Sequence, residues 1–270
     1  EHLCSDPEGV YFENLFGGVC NRTVKVNFAD GRKWVAKQAL TKLRVKEDWF
    51  SDPDRIHREA EGLRQLAQLT EQGSVPPFIF ENVPHHILIM EAVAEPHENY
   101  KTLLLNQDPV PTYAAQFANL LADIHLNSFR RKEELSTVFS DTSYFENLRL
   151  DPYYRFSADR LPEASLFLQE LIQRTRARKL TLVHGDFSPK NILIHDERLI
   201  LLDHEVIHFG DPAFDIGFAM AHFFGKALFR ISHRQSFFDM AQLFWRTYID
   251  RTGSGAWAEN LEYHCLSNLL

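Results

Sequence analysis

One polar loop between two short apolar segments constrains this sequence more than any other feature. Leu182-Val183 precedes the loop, Ile192-Leu193-Ile194 follows it, and Asp186 and Asn191 lie inside it, five positions apart. A second carboxylate, Asp203, comes twelve residues after Asn191, at the end of another apolar run. Carboxylate and amide oxygens are ligands that suit Mg²⁺. The pattern predicts a phosphoryl-transfer site, in which one carboxylate takes the proton of the attacking hydroxyl and the other two side chains hold the metal.

Composition excludes several other classes of protein. The 270 residues are 44% hydrophobic and 24% charged, a globular balance, and the net charge of −8 argues against a nucleic-acid partner. No apolar run is long enough to span a membrane, and Glu1 to Asp6 lack the order of a signal peptide. The chain has three cysteines, Cys4, Cys20 and Cys265, which match no zinc spacing. An odd number disfavours a disulfide framework, so we expect a reducing compartment. We therefore expect a cytoplasmic protein.

The hydrophobic pattern divides the chain near residues 91–95. Before this point, strand-like runs flank Asp30-Gly31 and Asn82-Val83-Pro84, which predicts two hairpins. A helix between them is predicted to begin at Asp52 and to bury one stripe, formed by Ile56, Ala60, Leu63 and Ala67. After the division helical periods dominate, as in Phe117, Leu120, Leu121 and Ile124, and a further helical stretch is predicted to begin at Ile216. The sequence thus predicts an α+β fold with a small β-rich lobe and a larger, mainly helical lobe.

The polar loop and the segments after it resemble a known family. His184-Gly185-Asp186 with Asn191, then Leu202–Glu205 and Asp211–Gly217, resembles the aminoglycoside phosphotransferase and choline kinase superfamily. Members share the protein-kinase fold and phosphorylate hydroxyls of small molecules. The resemblance extends from about Phe16 to beyond Gly217. It implies a bilobal, protein-kinase-like fold in which residues 1–93 bind nucleotide and residues 94–270 hold the catalytic loop and the acceptor.

The same resemblance assigns roles within the loop. Asp186 would be the catalytic base, and Asn191 and Asp203 would bind the Mg²⁺ that accompanies ATP. His184 would shape the loop, and Asp215 would brace it by accepting backbone N–H bonds. The alternative reading is ordinary turn capping, a role that Asp often fills.

Two charged residues of the first lobe complete the expected nucleotide site. Lys37 ends the run Trp34-Val35-Ala36-Lys37, which is similar to the Val-Ala-Ile-Lys strand of kinases and would neutralise nucleotide phosphates. Glu59 follows on the predicted helix and would hold Lys37 in place. Glu61 shares that helix, but Glu59 adjoins the apolar stripe at Ala60. Either Lys37 or Glu59 could instead be a solvated surface charge.

Backbone groups would complete the contacts to ATP. Gly17 and Gly18 would let backbone N–H groups approach the phosphates, although Gly-Gly is also common in plain hairpin turns. Met90, Glu91 and Val93 would form the hinge whose backbone pairs with adenine. Met90 would line the adenine pocket or serve as core filler.

Glu205 bears on the choice of substrate. Asp203-His204-Glu205 is similar to the Asp-x-Glu pattern of methylthioribose kinases, yet those kinases usually lack an Asn at the position of Asn191. Glu205 is a candidate third metal ligand, with substrate binding or a buried ion pair as the alternatives. His204 and His208 lie beside an extended strand without a third partner, so they do not predict a transition-metal site.

The predicted function is an ATP-dependent transfer of phosphate to a hydroxyl of a small molecule, namely an aminoglycoside, an amino alcohol or a sugar-like acceptor. A catalytically inactive pseudokinase scaffold is the alternative, disfavoured because Lys37, Asp186 and Asp203 are all present. A protein kinase is disfavoured because Asp215 follows Asp203 by only twelve residues, which leaves little room for an activation segment. The net charge is compatible with a cationic acceptor or a sugar, and it indicates neither a nucleic-acid nor a membrane partner.

Overall fold

The first part of the chain is a five-stranded antiparallel sheet. The computed structural model describes residues 9–16, 18–253 and 255–269. The strands are β1 Val10–Leu15, β2 Asn21–Phe28, β3 Lys33–Ala39, β4 Phe78–Asn82 and β5 Ile87–Glu91, in the order β1-β2-β3-β5-β4. Both predicted hairpins, β2–β3 and β4–β5, are confirmed. Gly31 closes the first hairpin with φ of 88°, a conformation that side chains other than glycine rarely adopt.

One helix, α1 (Arg55–Leu69), packs against this sheet. It begins three residues later than the sequence predicts, because Asp52 accepts the N–H of Asp54 in a turn that precedes the helix. The predicted burial of Ile56, Ala60 and Leu63 is confirmed, and that of Ala67 is wrong. The buried face is centred on Glu59, Leu63 and Leu66, so Ala67 lies at its edge.

The remainder of the described chain is mainly helical, and its elements follow in chain order. The α-helices are α2 Tyr100–Asn106, α3 Pro111–Arg130, α4 Lys132–Val138, α5 Ser143–Phe145, α6 Phe156–Arg160, α7 Pro162–Ala177, α8 Pro212–Phe229, α9 Arg234–Thr252 and α10 Leu261–Ser267. A π-helical segment, Glu146–Arg155, joins α5 to α6. Short 3₁₀ turns lie at Val83–His85, Pro189–Asn191, Ile231–His233 and Gly255–Ala258. The predicted stripe of α3 is buried throughout.

Two small sheets in this helical part position the polar loop. β7 (Thr181–Val183) pairs antiparallel with β10 (His208–Gly210), and β6 (Glu98–Asn99), β8 (Ile192–His195) and β9 (Arg198–Leu201) form the second sheet. The loop therefore runs from the end of β7 to the start of β8. Asp203 follows the end of β9.

Helix α8 begins at Pro212, four residues before the predicted start. Asp211 caps it by accepting the N–H of Ala213, and proline suits the first helical position because its missing N–H has no helical partner there. One hydrophobic core then connects the sheet to the helices, since Leu88 and Met90 belong to the same cluster as residues of α3, α8 and α9. The fold is α+β, with the sheet first and the helical part second, as predicted. The lobe boundary at residue 93 stays a prediction.

Within the described ranges, no helix combines the length and the apolar character needed to cross a membrane.

Candidate active site

The ends of β8 and β9 bring Asp186, Asn191 and Asp203 together. Ile192 pairs with Leu201 in the sheet, and the Leu202 N–H donates to the Asn191 carbonyl at 2.8 Å, which sets Asn191 beside the start of the Asp203 segment. The Asn191 amide nitrogen donates to the backbone oxygen of Asp186 at 3.0 Å and to its Oδ2 at 2.8 Å. The three side chains that the sequence singled out therefore share one edge of a small sheet.

Asp186 is held through one of its two carboxylate oxygens. Besides Asn191, Arg149 Nη2 lies 2.8 Å and Lys190 Nζ 3.0 Å from Oδ2. Asp186 is 1% exposed, and its Oδ1 is buried without a hydrogen-bond partner among the described residues. Three donors thus fix the carboxylate in place and leave the second oxygen available to accept a proton.

The backbone of the loop is braced from α8. Asp215 Oδ2 accepts the N–H of His184 at 2.6 Å, and its Oδ1 accepts that of Gly185 at 2.8 Å, which confirms the role predicted for Asp215. Gly185 has φ of 77°, and a Cβ there would lie 2.9 Å from a methyl carbon of Val206. The loop can therefore make this bend only with glycine at position 185.

His184 shapes the loop from inside. Burial lowers the pKa of His184, so the imidazole is neutral and its Nδ1 accepts the N–H of Asp186 at 3.2 Å. Its Nε2 lies 3.1 Å from Nδ1 of His204, which is also buried. His208, in contrast, lies against the Phe145 ring, with its Nδ1 3.0 Å from the Val206 carbonyl. His204 and His208 thus serve the packing of the loop.

Lys37 reaches the same region from the sheet. Its Nζ lies 2.6 Å from Glu59 Oε1 and 3.1 Å from Asp203 Oδ1. Burial alone would lower the pKa of Lys37, but the Asp203 and Glu59 carboxylates outweigh it and raise the pKa above its ordinary value, so the ammonium stays charged. Glu61 instead contacts Arg64 and Gln65. Of the two glutamates on α1, Glu59 therefore makes the expected ion pair.

Asp203 has a backbone conformation that few residues other than glycine adopt, with φ of 68°. Aspartate is among the residues that tolerate this left-handed region best. Burial would raise the pKa of Asp203, but the Lys37 ammonium more than offsets this and keeps it below the ordinary value. Asp203 is therefore a carboxylate at neutral pH, held where the chain bends away from β9.

Glu205 lies in a buried ion pair. Its Oε2 is 3.0 Å from Nε of Arg55, which is fully buried, and 3.4 Å from the amide nitrogen of Asn21. Arg55 also donates to the carbonyls of Cys20 and Leu40, so the pair joins the glycine-containing loop, α1 and the segment after Asp203. This is the ion pair that the sequence left open as an alternative. A metal-binding role for Glu205 stays a prediction.

The backbone groups expected to contact ATP lie at two places in the sheet, with the hinge beside the start of β3 and the glycine loop beside its end. Met90 is buried in the main core, as core filler would be. Glu91 and Ala92 donate their backbone N–H groups to the carbonyls of Pro77 and Lys33, whereas the N–H of Val93 has no partner among the described residues. A Cβ placed on Gly18 would meet nothing within 4 Å. Gly17 lies outside the described residues.

Three cationic side chains of this region were not predicted from the sequence, namely those of Lys190, Arg55 and Arg149. Lys190 lies four residues after Asp186, a spacing that could have drawn attention to it. Arg55 lies one helical turn before Glu59, on the same buried face of α1. Arg149 comes from the π-helical segment, 36 residues before Gly185, and no local motif marks it.

The sequence of this chain matches a known protein family. A family model described as "Phosphotransferase enzyme family" matches residues 13–243, which includes every predicted site residue. The chain belongs to this phosphotransferase family. Its resemblance to that group, inferred from the loop motifs, is thereby confirmed.

Kinases and phosphotransferases are among the curated proteins and solved structures to which this chain is similar. The methylthioribose kinase of Yersinia enterocolitica is 28% identical over 252 residues, covering 81% of this chain and 61% of its own length. The chain thus spans about three fifths of the curated relative's length. Among solved structures, amicoumacin kinase in complex with AMP-PNP, Ca²⁺ and Ami has a TM-score of 0.67 at 16% identity, covering 97% of this chain and 78% of that one. A macrolide 2'-phosphotransferase from Brachybacterium faecium has a TM-score of 0.58 at 18% identity, covering 97% of this chain and 83% of that one. The fold is that of these phosphotransferases.

Proposed function

We propose that this chain transfers the γ-phosphate of ATP to a hydroxyl of a small molecule. The observation that carries the proposal is the state of Asp186, whose carboxylate is fixed by three donors through Oδ2 and keeps Oδ1 unbonded. A general base needs this combination of a fixed orientation and a free lone pair. The pair Lys37–Glu59 supplies a charged, partly buried ammonium for the phosphates.

The side-chain oxygens of Asn191 and Asp203 fit Mg²⁺. The Asn191 amide nitrogen is used by Asp186, so its Oδ1 is the atom left for a metal, and Asp203 contributes a partly exposed carboxylate. Hard oxygen donors of this kind suit Mg²⁺, and when bound the ion would neutralise charge on the nucleotide phosphates. Glu205 stays a candidate third ligand, although its Oε2 is engaged by Arg55.

The side chains of the protein account for the remaining steps. Lys37, kept protonated by Glu59 and Asp203, would hold the phosphates of ATP, and the free Val93 N–H would pair with adenine. Asp186 Oδ1 would accept the proton of the acceptor hydroxyl as that oxygen attacks phosphorus. Catalysis on this view is mainly positioning and electrostatic stabilisation. ATP use also supports a cytoplasmic location.

A pocket of about 420 Å³ beside α8 is our candidate for the acceptor site. Leu105, Phe218 and Phe229 give it apolar walls, and His222 and Lys226 contribute polar groups. Burial, and then the charge of Lys226, lower the pKa of His222 to about 3, so this ring is neutral. The charges of Asp186 and Lys190 act on the same ring, which supports placing the pocket near the proposed base.

The charges around this pocket favour an acceptor that carries an anionic group. Lys226 is 7% exposed, and among the described residues its ammonium donates only to the His222 carbonyl. Lys101, one turn from Leu105 on α2, adds a second positive charge that acts on Lys226. Neither lysine has a carboxylate partner in the described ranges. This local charge outweighs the net charge of the chain as a guide to the acceptor.

The relatives suggest where an acceptor screen should begin. Methylthioribose kinases are among the matched relatives, so thiosugars come first, followed by hydroxy acids, which carry the anionic group that the lysines favour, and then by aminoglycosides and amino alcohols. We expect Mg²⁺-dependent release of ADP with one class of acceptor, abolished by Asp203→Asn. The variant Lys226→Gln should raise KM for the acceptor and leave KM for ATP unchanged. Nucleotide binding without acceptor-dependent ADP release by any class would favour the pseudokinase.

A further inference from the structure

A second cluster of potential metal ligands lies away from Asn191 and Asp203, where α1 begins beside the β4–β5 turn. Asp54 directly precedes α1, His57 is in its first turn, and His86 lies at the end of the turn between the strands. His86 Nδ1 is 3.1 Å from Asp54 Oδ1, and His57 Nε2 is 3.9 Å from the same oxygen. All three atoms lie within 4.8 Å of one another.

Both histidine nitrogens that face this cluster are shielded and unsatisfied. His57 Nε2 and His86 Nδ1 are buried atoms without a hydrogen-bond partner in the described part of the chain. Unpaired buried polar atoms are uncommon and costly, so two of them converging on one carboxylate need an explanation. A bound cation would satisfy both nitrogens and the carboxylate together.

Glu81 makes the contact that a metal-binding histidine usually has on its other nitrogen. His57 Nδ1 lies 2.6 Å from Glu81 Oε1, and Glu81 Oε2 accepts from Arg64 at 2.6 Å. A carboxylate in this position accepts a hydrogen bond from the Nδ1–H group, so the lone pair of the neutral ring is on Nε2, directed away from the carboxylate. The ring of His57 is thus oriented, and its free nitrogen lies within 4.8 Å of the ligand atoms of Asp54 and His86.

The spacing fits a small cation with nitrogen ligands. Bonds of about 2.0–2.1 Å in a tetrahedron place ligand atoms roughly 3.3 Å apart. The distance of 3.1 Å is close to this value, and the other two spacings, 3.9 Å and one within 4.8 Å, are compatible with it after small side-chain rotations. Two imidazoles and one carboxylate suit zinc-type ions, whereas Mg²⁺ prefers oxygen ligands alone.

We propose that Asp54, His57 and His86 form a binding site for a zinc-type divalent cation, with Glu81 as the positioning residue of His57. The ion connects the start of α1 to the β4–β5 turn. Since α1 carries Glu59, the site holds the helix that positions Lys37. It is separate from the proposed Mg²⁺ site in ligand type and in location.

Metal-stripped full-length protein tests this proposal without nucleotide. We expect equilibrium dialysis with Zn²⁺ to give one bound equivalent, lost in His57→Gln and in His86→Gln. His85→Gln is the matched control, because His85 neighbours His86 but is exposed and outside the cluster, and it should bind as the native chain does. Glu81→Gln should weaken binding about 10–100-fold, as expected for a residue that orients a ligand.

Co²⁺ in place of Zn²⁺ gives a second readout that does not depend on any variant. Four-coordinate Co²⁺ with nitrogen ligands should produce intense visible absorption, displaced by one equivalent of Zn²⁺. Far-ultraviolet circular dichroism establishes that each variant is folded. Binding that persists in His86→Gln, that is lost in Asp203→Asn, or that is absent from the native chain would overturn the proposal.

Discussion

Arg149 and Asp186 form an ion pair inside the molecule, with 2.8 Å between Nη2 and Oδ2. Arg149 Nε also donates to the Gly185 carbonyl at 2.8 Å, so a single guanidinium holds both the backbone and the carboxylate of the loop. The side chains are 7% and 1% exposed. The position of the proposed base therefore depends on a residue from the π-helical segment, far away in the sequence.

Replacing Arg149 with Gln should lower kcat by about 100-fold, because a small displacement of a catalytic group is enough for such a loss. It should also destabilise the protein by about 3 kcal/mol, since it leaves a buried charge with fewer partners. Arg155→Gln is the control, because Arg155 lies on the same segment but is half-exposed and pairs with Glu146. Steady-state kinetics and urea unfolding measure both effects. Equal values for the two variants would contradict this role.

Glu59 and Glu61 should behave differently although they lie on one helix. Glu59→Gln removes the charge that holds Lys37, so nucleotide affinity should fall about 10-fold, in line with a lost charge-assisted hydrogen bond. Glu61→Gln removes only contacts to Arg64 and Gln65 and should leave affinity unchanged. Calorimetric titration with a non-hydrolysable ATP analogue distinguishes them. Equal nucleotide affinity in both variants would rule out this role for Glu59.

His208 should make stability depend on pH. Burial lowers the pKa of His208 to about 4, against about 6.5 in the unfolded chain. Between these values the unfolded state binds more protons, so stability rises with pH, is complete above about 6.5 and is lost as pH falls toward 4. From pH 7 to pH 5 the native chain should lose on the order of 2 kcal/mol more than His208→Gln. Urea unfolding at the two pH values tests this, and equal losses would contradict it.

Two glycines of α8 offer a matched pair for packing. A Cβ at Gly217 would lie 2.6 Å from His264 Cβ and 2.9 Å from the Cys265 nitrogen, so Gly217→Ala should cost about 1–3 kcal/mol by forcing α10 away. At Gly225 the nearest atom is 4.0 Å away, and Gly225→Ala should stabilise the helix by up to about 1 kcal/mol. Thermal unfolding measures both. If Gly217→Ala were as stable as Gly225→Ala, α8 and α10 would not pack this closely.

Much of this arrangement could be predicted from the sequence because its signals are local. Asp186, Asn191 and Asp203 lie in one loop and at the ends of two paired strands, so strand patterns suffice to bring them together. The resemblance to kinases implies the pairing of Lys37 with a glutamate of α1, and the apolar stripe of that helix favours Glu59 over Glu61. The cap at Asp211 lies outside the hydrophobic pattern, which becomes helical only at Ile216, so that pattern does not predict the start of α8.

The cations that support the site could not be predicted in the same way. Arg55 and Arg149 are buried, yet an arginine in a helical stretch normally indicates a solvated face. Their burial depends on carboxylates, Glu205 and Asp186, that only the folded chain brings near. For the same reason the sequence does not decide whether Glu205 binds metal, binds substrate or forms an ion pair. Because the two residues of each pair lie far apart in the sequence, no residue spacing predicts their contact.

The most direct test of the account is the turnover of Asp186→Asn, measured as acceptor-dependent ADP release beside calorimetric nucleotide binding. Asn keeps the shape of the side chain but cannot accept the proton, so kcat should fall by about 10²–10⁴-fold. Nucleotide affinity should stay within about twofold, since Asp186 is bonded to Asn191, Arg149 and Lys190 and not to Lys37. Asp196→Asn, in the exposed β8–β9 turn, is the control and should behave as the native chain. An unchanged kcat in Asp186→Asn would contradict the central claim that this carboxylate is the base of a phosphotransferase.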